Sequence, residues 1–281
     1  MKIKKIIKGH PILCYVLVTF AISWLGAFIL IAPNLLGGRA IPKMEGLLMF
    51  PILLFGPFLG GLMLEGVSGG KVGLKDLLMR MTKWKLPIRW YAIILLVPPT
   101  LIMLVLLSLS NFRSPVFKPN FFPIGILFGI PAGIFEEIGW TGYALPKLLA
   151  RYSKSKAGII LGVIWGIWHF PVIDFLGTAT PHGHYLFFFF LAFILLLTVM
   201  RILMTLVYAN TGSVFAIQIM HIVSTGCLVM FGPNGVSSKQ EVQWYSIYAG
   251  ILFVFTILAY TLTGEKKSLS PAENNLNITH C

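Results

Sequence analysis

Acidic residues are scarce. The 281-residue chain has nine Asp and Glu against 22 Lys and Arg, and charged types together make up 11%, well under the roughly 25% of an ordinary soluble domain. Cysteine is equally thin: Cys14, Cys227 and Cys281 are odd in number and far apart, so no disulfide framework is legible. Cys14 and Cys227 lie in apolar runs, where inert packing is the expected role. The only aspartates are Asp76 and Asp174, and Asp76 falls in a basic stretch, which excludes an intramembrane aspartyl dyad. No H-E-x-x-H occurs, so the common zinc-binding helix is absent. Gly66-Val67-Ser68-Gly69-Gly70 has the G-x-S-x-G form but sits at a helix end beside Lys71 with no strand before it, and reads as a loop.

Apolar residues, by contrast, make up 57% of the chain. That excludes a disordered chain, a coiled coil and almost any water-soluble globular enzyme. A transmembrane helix needs about 20 predominantly apolar residues. Runs at 11–33, 46–66, 90–110, 121–149, 157–176, 184–207, 211–231 and 244–263 predict an all-α polytopic membrane protein. It is a bundle of about eight transmembrane helices forming one domain over 1–264. The first run is too long for a secretory h-region, roughly 7–15 residues, and is read as an uncleaved helix.

A net charge of +13 would suggest nucleic acid in a soluble protein. Here no basic stripe is interleaved with aromatics, and most Lys and Arg fall in alternate loops, with Arg201 counted among them. The charge therefore sets topology, with both termini cytoplasmic and the cell membrane as location. Lipids are the expected partners, and nucleic acid is not. Lys71 to Arg89 mixes bases with Leu74, Leu77, Leu78 and Trp84, and reads as an amphipathic helix on the inner leaflet. The polar tail 265–281 is expected to be cytoplasmic and disordered, leaving its Asn277-Ile278-Thr279 sequon unused.

Glycines spaced by four give helices a bare face. They occur at Gly56 and Gly60, at Gly129 and Gly133, and at Gly158, Gly162 and Gly166. The last face is expected to bring His169 toward the fourth span. Pro131 should loosen the backbone near Leu127 and Phe128.

Ionisable groups at membrane depth are costly, so each marks a candidate site. They are Glu136 and Glu137 in the fourth span, His169 in the fifth and His221 in the seventh. Asp174 lies near the end of the fifth span, and His182 and His184 are expected in a solvated outer loop. Neighbours on an α-helix point about 100° apart, so one glutamate can face a cavity while the other ties to an adjacent helix. His221 and Thr225 share a face. A glutamate can serve as general base, a His beside it can hold water or shuttle a proton, and a second His with a hydroxyl can donate to an oxyanion. This is an inventory for water-mediated amide hydrolysis without a protein nucleophile, needing no cofactor. The same Glu136, His169 and His221 could instead ligate a divalent metal such as zinc. Buried Glu and His also build proton relays, although no inverted repeat is visible.

Glu136-Glu137-Ile138-Gly139-Trp140-Thr141-Gly142-Tyr143-Ala144-Leu145-Pro146 resembles the first motif of the CAAX-protease and bacteriocin-processing (CPBP) intramembrane proteases, which include type II CAAX prenyl endopeptidases. Trp165-Gly166-Ile167-Trp168-His169 resembles the second motif, and Thr211-Gly212-Ser213 leading to His221 and Thr225 the third, in the family's order. The family-like core is about 121–231. The resemblance implies an intramembrane endopeptidase acting on a membrane-associated or lipidated peptide or protein. Glu136 would activate water, assisted by His169; His221 and Thr225 would stabilise the oxyanion, and Glu137 would orient the site. Three positions depart from the pattern. Thr141 replaces the usual Arg, so no guanidinium clamp on Glu137 is expected. Trp165 replaces a Phe, an apparently harmless change, and Thr225 replaces an Asn. The first and third departures motivate an alternative, a non-proteolytic bacteriocin-immunity or scaffold protein on the same fold.

Overall fold

In the computed structural model, residues 2–263 are described, and they form helices with no strand among them. The expected tail 265–281 and its sequon lie outside the described residues. A short basic helix α1 (Lys2–Gly9) precedes α2 (Pro11–Leu36), α3 (Lys43–Met81) and α4 (Ile88–Phe112). The next span, Pro123–Leu149, is interrupted: it holds α5 (Ile126–Pro131), α6 (Glu137–Gly139) and α7 (Leu145–Leu149). Then come α8 (Lys154–Trp168), α9 (Leu186–Thr211), α10 (Val214–Phe231) and α11 (Ser238–Thr263). Among the described residues, seven helices are long and apolar enough to cross a membrane. The expected span missing from the seven is the fifth: α8 has only 15 residues and is continued by a 3-10 segment, Phe170–Phe175.

The outer helix α2 turns its leucines outward. On α2, Tyr15, Thr19, Ser23, Ala27 and Ile31 recur every fourth residue and are buried, while Leu13, Leu17, Leu25 and Ile29 are exposed. Small and polar groups inside with leucine outside is the arrangement a hydrocarbon solvent favours, because helix contacts there depend on close packing rather than on excluding water.

Each glycine series is a helix contact. A Cβ on Gly56 would lie 2.4 Å from the Thr19 carbonyl oxygen of α2, and one on Gly129 would lie 2.3 Å from the Ile222 oxygen of α10. Added carbons on Gly158, Gly162 and Gly166 would meet the Cα atoms of Ile202, Thr198 and Ile194 at 2.8, 2.5 and 3.0 Å. That face therefore packs on α9, not on the fourth span as expected. Four-residue spacing defines a bare face but not its partner, and consecutive helices are usually neighbours. Gly162→Ala should lower stability by about 1–2 kcal/mol, read as a lower thermal midpoint in detergent. Gly250→Ala, with nothing within 4 Å of the added carbon, is the neutral control. Equal midpoints for the two variants would rule out this α8–α9 contact.

Two prolines free carbonyls that other helices then satisfy. Pro57 has no N–H for the Leu53 carbonyl, and Ser23 donates to it at 2.6 Å while accepting from Trp168 Nε1 at 2.8 Å. Pro146 likewise frees the Gly142 carbonyl, which accepts from Arg80 Nη1 at 3.0 Å. Arg80 lies beyond a break in α3 at Gly70, where φ is 63° and ψ −154°, a conformation that requires glycine. Of the expected amphipathic helix over 71–89, the stretch up to Met81 is helical and 82–87 is not. It buries Leu77, exposes Val72, Leu78 and Met79, and is tied to the bundle by Arg80 and by Ser213 Oγ donating to the Lys83 carbonyl at 2.6 Å.

Candidate active site

The glutamate pair sits where the fourth span departs from α geometry. Ala132–Glu136 and Trp140–Ala144 are wide π turns on either side of α6. The loosening expected near Leu127 and Phe128 falls instead after Pro131. A π turn closes its hydrogen bonds over five residues rather than four, which narrows the angle between neighbouring side chains. The carbonyl of Ile134 within the first π turn accepts from Gln218 Nε2 of α10 at 3.2 Å. Glu136 and Glu137 both turn inward, each 0% exposed.

Their roles in the site differ. Glu137 is saturated: Arg201 Nη1 and Nη2 donate to its two oxygens at 2.8 Å each, His221 Nδ1 lies 2.7 Å from Oε1, and the Thr141 hydroxyl donates to Oε2. Glu136 accepts from Trp165 Nε1 at 2.7 Å through Oε2, and its buried Oε1 has no partner. One carboxylate is thus fixed by its neighbours and the other has an oxygen without a partner.

The imidazoles are oriented by their Nδ1 contacts. His169 closes α8, with Nδ1 2.9 Å from the Trp165 carbonyl. A carbonyl only accepts, so Nδ1 carries the proton and Nε2 presents a lone pair. Its ring is held edge-on by Trp168 and Phe193 at 4.8 and 5.1 Å between centroids. His221 is buried on α10 with Thr225 one turn further on and half-buried. Trp165 is the common neighbour: its ring lies 5.8 Å from His169, 5.1 Å from His221 and 4.2 Å from the Arg201 guanidinium. The structure therefore gathers Glu136, His169 and His221 around one tryptophan, with Glu137 tied to His221 and Arg201, and Thr225 lies one turn after His221 on α10.

Four expectations need correction. Arg201, counted as a loop residue, is fully buried in the middle of α9. The guanidinium clamp taken to be missing from Glu137 is present, supplied from α9 because Gly162 brings that helix close. Trp165 is more than a harmless aromatic exchange, since its indole N–H holds Glu136. Away from the site, His182 is not solvated: it is buried, stacked on Phe189 at 3.9 Å, with its ring nitrogens 3.1 Å from Asp174 and from Glu241. His184 is exposed as expected.

Among the described residues no three His, Cys, Asp or Glu side chains are gathered so as to hold a metal ion. The Nδ1 atoms of His169 and His221 are committed to the Trp165 carbonyl and to Glu137, which leaves the Nε2 atoms and Glu136 Oε1 as the donors a metal ion would use.

Residues 118–227, which contain every one of these site residues, match the family described as Type II CAAX prenyl endopeptidase Rce1-like. The chain is similar to that family over this segment. It is also 30% identical over 174 residues to a CAAX prenyl protease 2 of Methanococcus maripaludis, a match covering 57% of this chain and 61% of that protein. The chain thus spans about 61% of this curated relative's length. Within the Rce1-like segment lie three of the contacts that build the site: Trp165 to Glu136, Arg201 to Glu137 and His221 to Glu137.

Proposed function

We propose that this chain is an intramembrane endopeptidase that hydrolyses a peptide bond of a lipidated or membrane-associated peptide without a metal ion. The observation that carries this reading is the unequal pair of buried glutamates. Glu136 would take a proton from water through its free Oε1 as the water oxygen bonds to the scissile carbonyl carbon. His169 Nε2, a lone-pair acceptor, would hold the second water proton. The carbonyl oxygen would become an oxyanion facing Thr225 and His221, which requires His221 to donate through Nε2 while Nδ1 stays on Glu137. Collapse would break the C–N bond as the proton on Glu136 passes to the departing amine, leaving a carboxylic acid and an amine, and His169 Nε2 would take the acid's proton to give the carboxylate.

The Rce1-like match and the relative named for a prenyl protease support a prenylated protein as substrate. The loop charges support both termini in the cytoplasm of a cell-membrane protein. A non-proteolytic immunity or scaffold role is favoured only by Thr225, whose hydroxyl offers one donor where an amide offers two. The guanidinium on Glu137 removes the other motive for it.

Two sets of quenched peptides, one with a prenylated cysteine near the C-terminus and one without, test the reading on purified protein with and without a chelator. Cleavage of the prenylated set, unchanged by the chelator, is expected. A wild type inert toward both sets would overturn the endopeptidase reading, and loss of cleavage in chelator would overturn its metal-free form.

A further inference from the structure

Arg201 touches more of the site than an ion pair requires. Its two terminal nitrogens engage both oxygens of Glu137, with Nη1 also 3.3 Å from the Thr141 hydroxyl. The central carbon of the same guanidinium lies over the Trp165 ring, 4.2 Å from its centre, and the N–H of that ring holds Glu136. We propose that Arg201 is a positioning residue that couples the two glutamates, fixing Glu137 by its fork and Glu136 through the plane of Trp165. This rests on the endopeptidase reading.

The coupling follows from the shape of the group. A bidentate fork fixes the plane of the carboxylate it binds, and Glu137 in turn orients His221. The guanidinium seated over the ring limits how the indole can tilt and hence where Nε1 points. That direction decides which Glu136 oxygen is engaged and which stays free. Access to this position depends on small residues. A Cβ on Gly162 would lie 3.1 Å from Arg201 Cβ, and Thr141, one turn beyond Glu137, is short enough to share its carboxylate with a guanidinium arriving from α9.

The competing account is that Arg201 only neutralises a buried carboxylate. Lysine separates the two, because it keeps the charge but has neither the fork nor the planar face. On a cleaved substrate, Arg201→Lys is expected to lower kcat roughly a hundredfold with KM within about threefold. Trp165→Phe keeps a ring and loses the N–H, and is expected to lower kcat by about tenfold or more. The double variant should be no slower than the worse single, because both act on Glu136 through one indole. Wild-type kcat in Arg201→Lys, or losses that multiply in the double variant, would overturn the proposal. If Arg201→Lys does not accumulate in membranes, Trp165→Phe decides: an unchanged kcat overturns the coupling and a loss at constant KM supports it. A wild type that cleaves nothing is a failure of the endopeptidase reading. The thermal midpoints of the same proteins then test the coupling, with additive shifts overturning it.

Discussion

Glu136→Gln should abolish nearly all turnover, lowering kcat by roughly 10²–10⁴-fold with little change in KM. The substitution is nearly isosteric. The amide oxygen still accepts from Trp165 Nε1, and the amide nitrogen occupies the place of Oε1, which has no partner in the structure. What is lost is the ability to take a proton from water. Single-turnover cleavage by membrane-inserted protein separates this loss from any change in binding. Turnover within about threefold of wild type would remove Glu136 as the base and shift attention to His169 Nε2. His169→Ala is expected to fall in the same range, since it removes the second acceptor facing the water.

Glu241→Ala should be the most destabilising single change outside the site, at about 3 kcal/mol. Glu241 is buried and accepts from the backbone N–H groups of Thr178 and Ala179 at 2.7 and 2.8 Å, while His182 Nε2 lies 3.1 Å away. Alanine strips the acceptor from all of them at once, and the segment joining the end of α8 to α9 keeps only the Ser238 Oγ bond to the Ala179 carbonyl as a hydrogen bond to α11. The cost exceeds that of a single lost hydrogen bond because buried donors left without partners carry their full desolvation penalty. Thermal unfolding in detergent measures it, and Glu241→Gln, which keeps an acceptor oxygen, should lose less. A midpoint unchanged in Glu241→Ala would mean that water already serves these donors.

Glu136, Glu137, His169 and His221 were legible because ionisable residues inside apolar runs are rare enough to stand out singly. Arg201 obeys the same rule, but counting bases by loop assigned it to the nearest connection. Its partner Glu137 is 64 residues away, and no local pattern links them. Trp165 illustrates a different limit: sequence comparison ranks tryptophan with phenylalanine by size, whereas the structure uses the N–H that only tryptophan has. His182 was misread because outer loops are wet by default, and its burial depends on Glu241, 59 residues later. Glycine spacing fixed which faces are bare but not which helix fills them. The π turns carry no periodic signature, since they arise where interhelical contacts outweigh one regular turn.

The fourth span cannot complete its own backbone. The Gly142 carbonyl depends on Arg80, made 62 residues earlier, and the Ile134 carbonyl on Gln218, made 84 residues later. In hydrocarbon an unmet carbonyl is worth several kcal/mol, and this is also the least apolar of the seven candidate spans. The consequence falls on biogenesis. As it leaves the ribosome, the segment bearing the glutamates is a poor solitary occupant of the bilayer. It has to be sheltered, by the insertion machinery or by α2 and α3 already in place, until α10 has been synthesised.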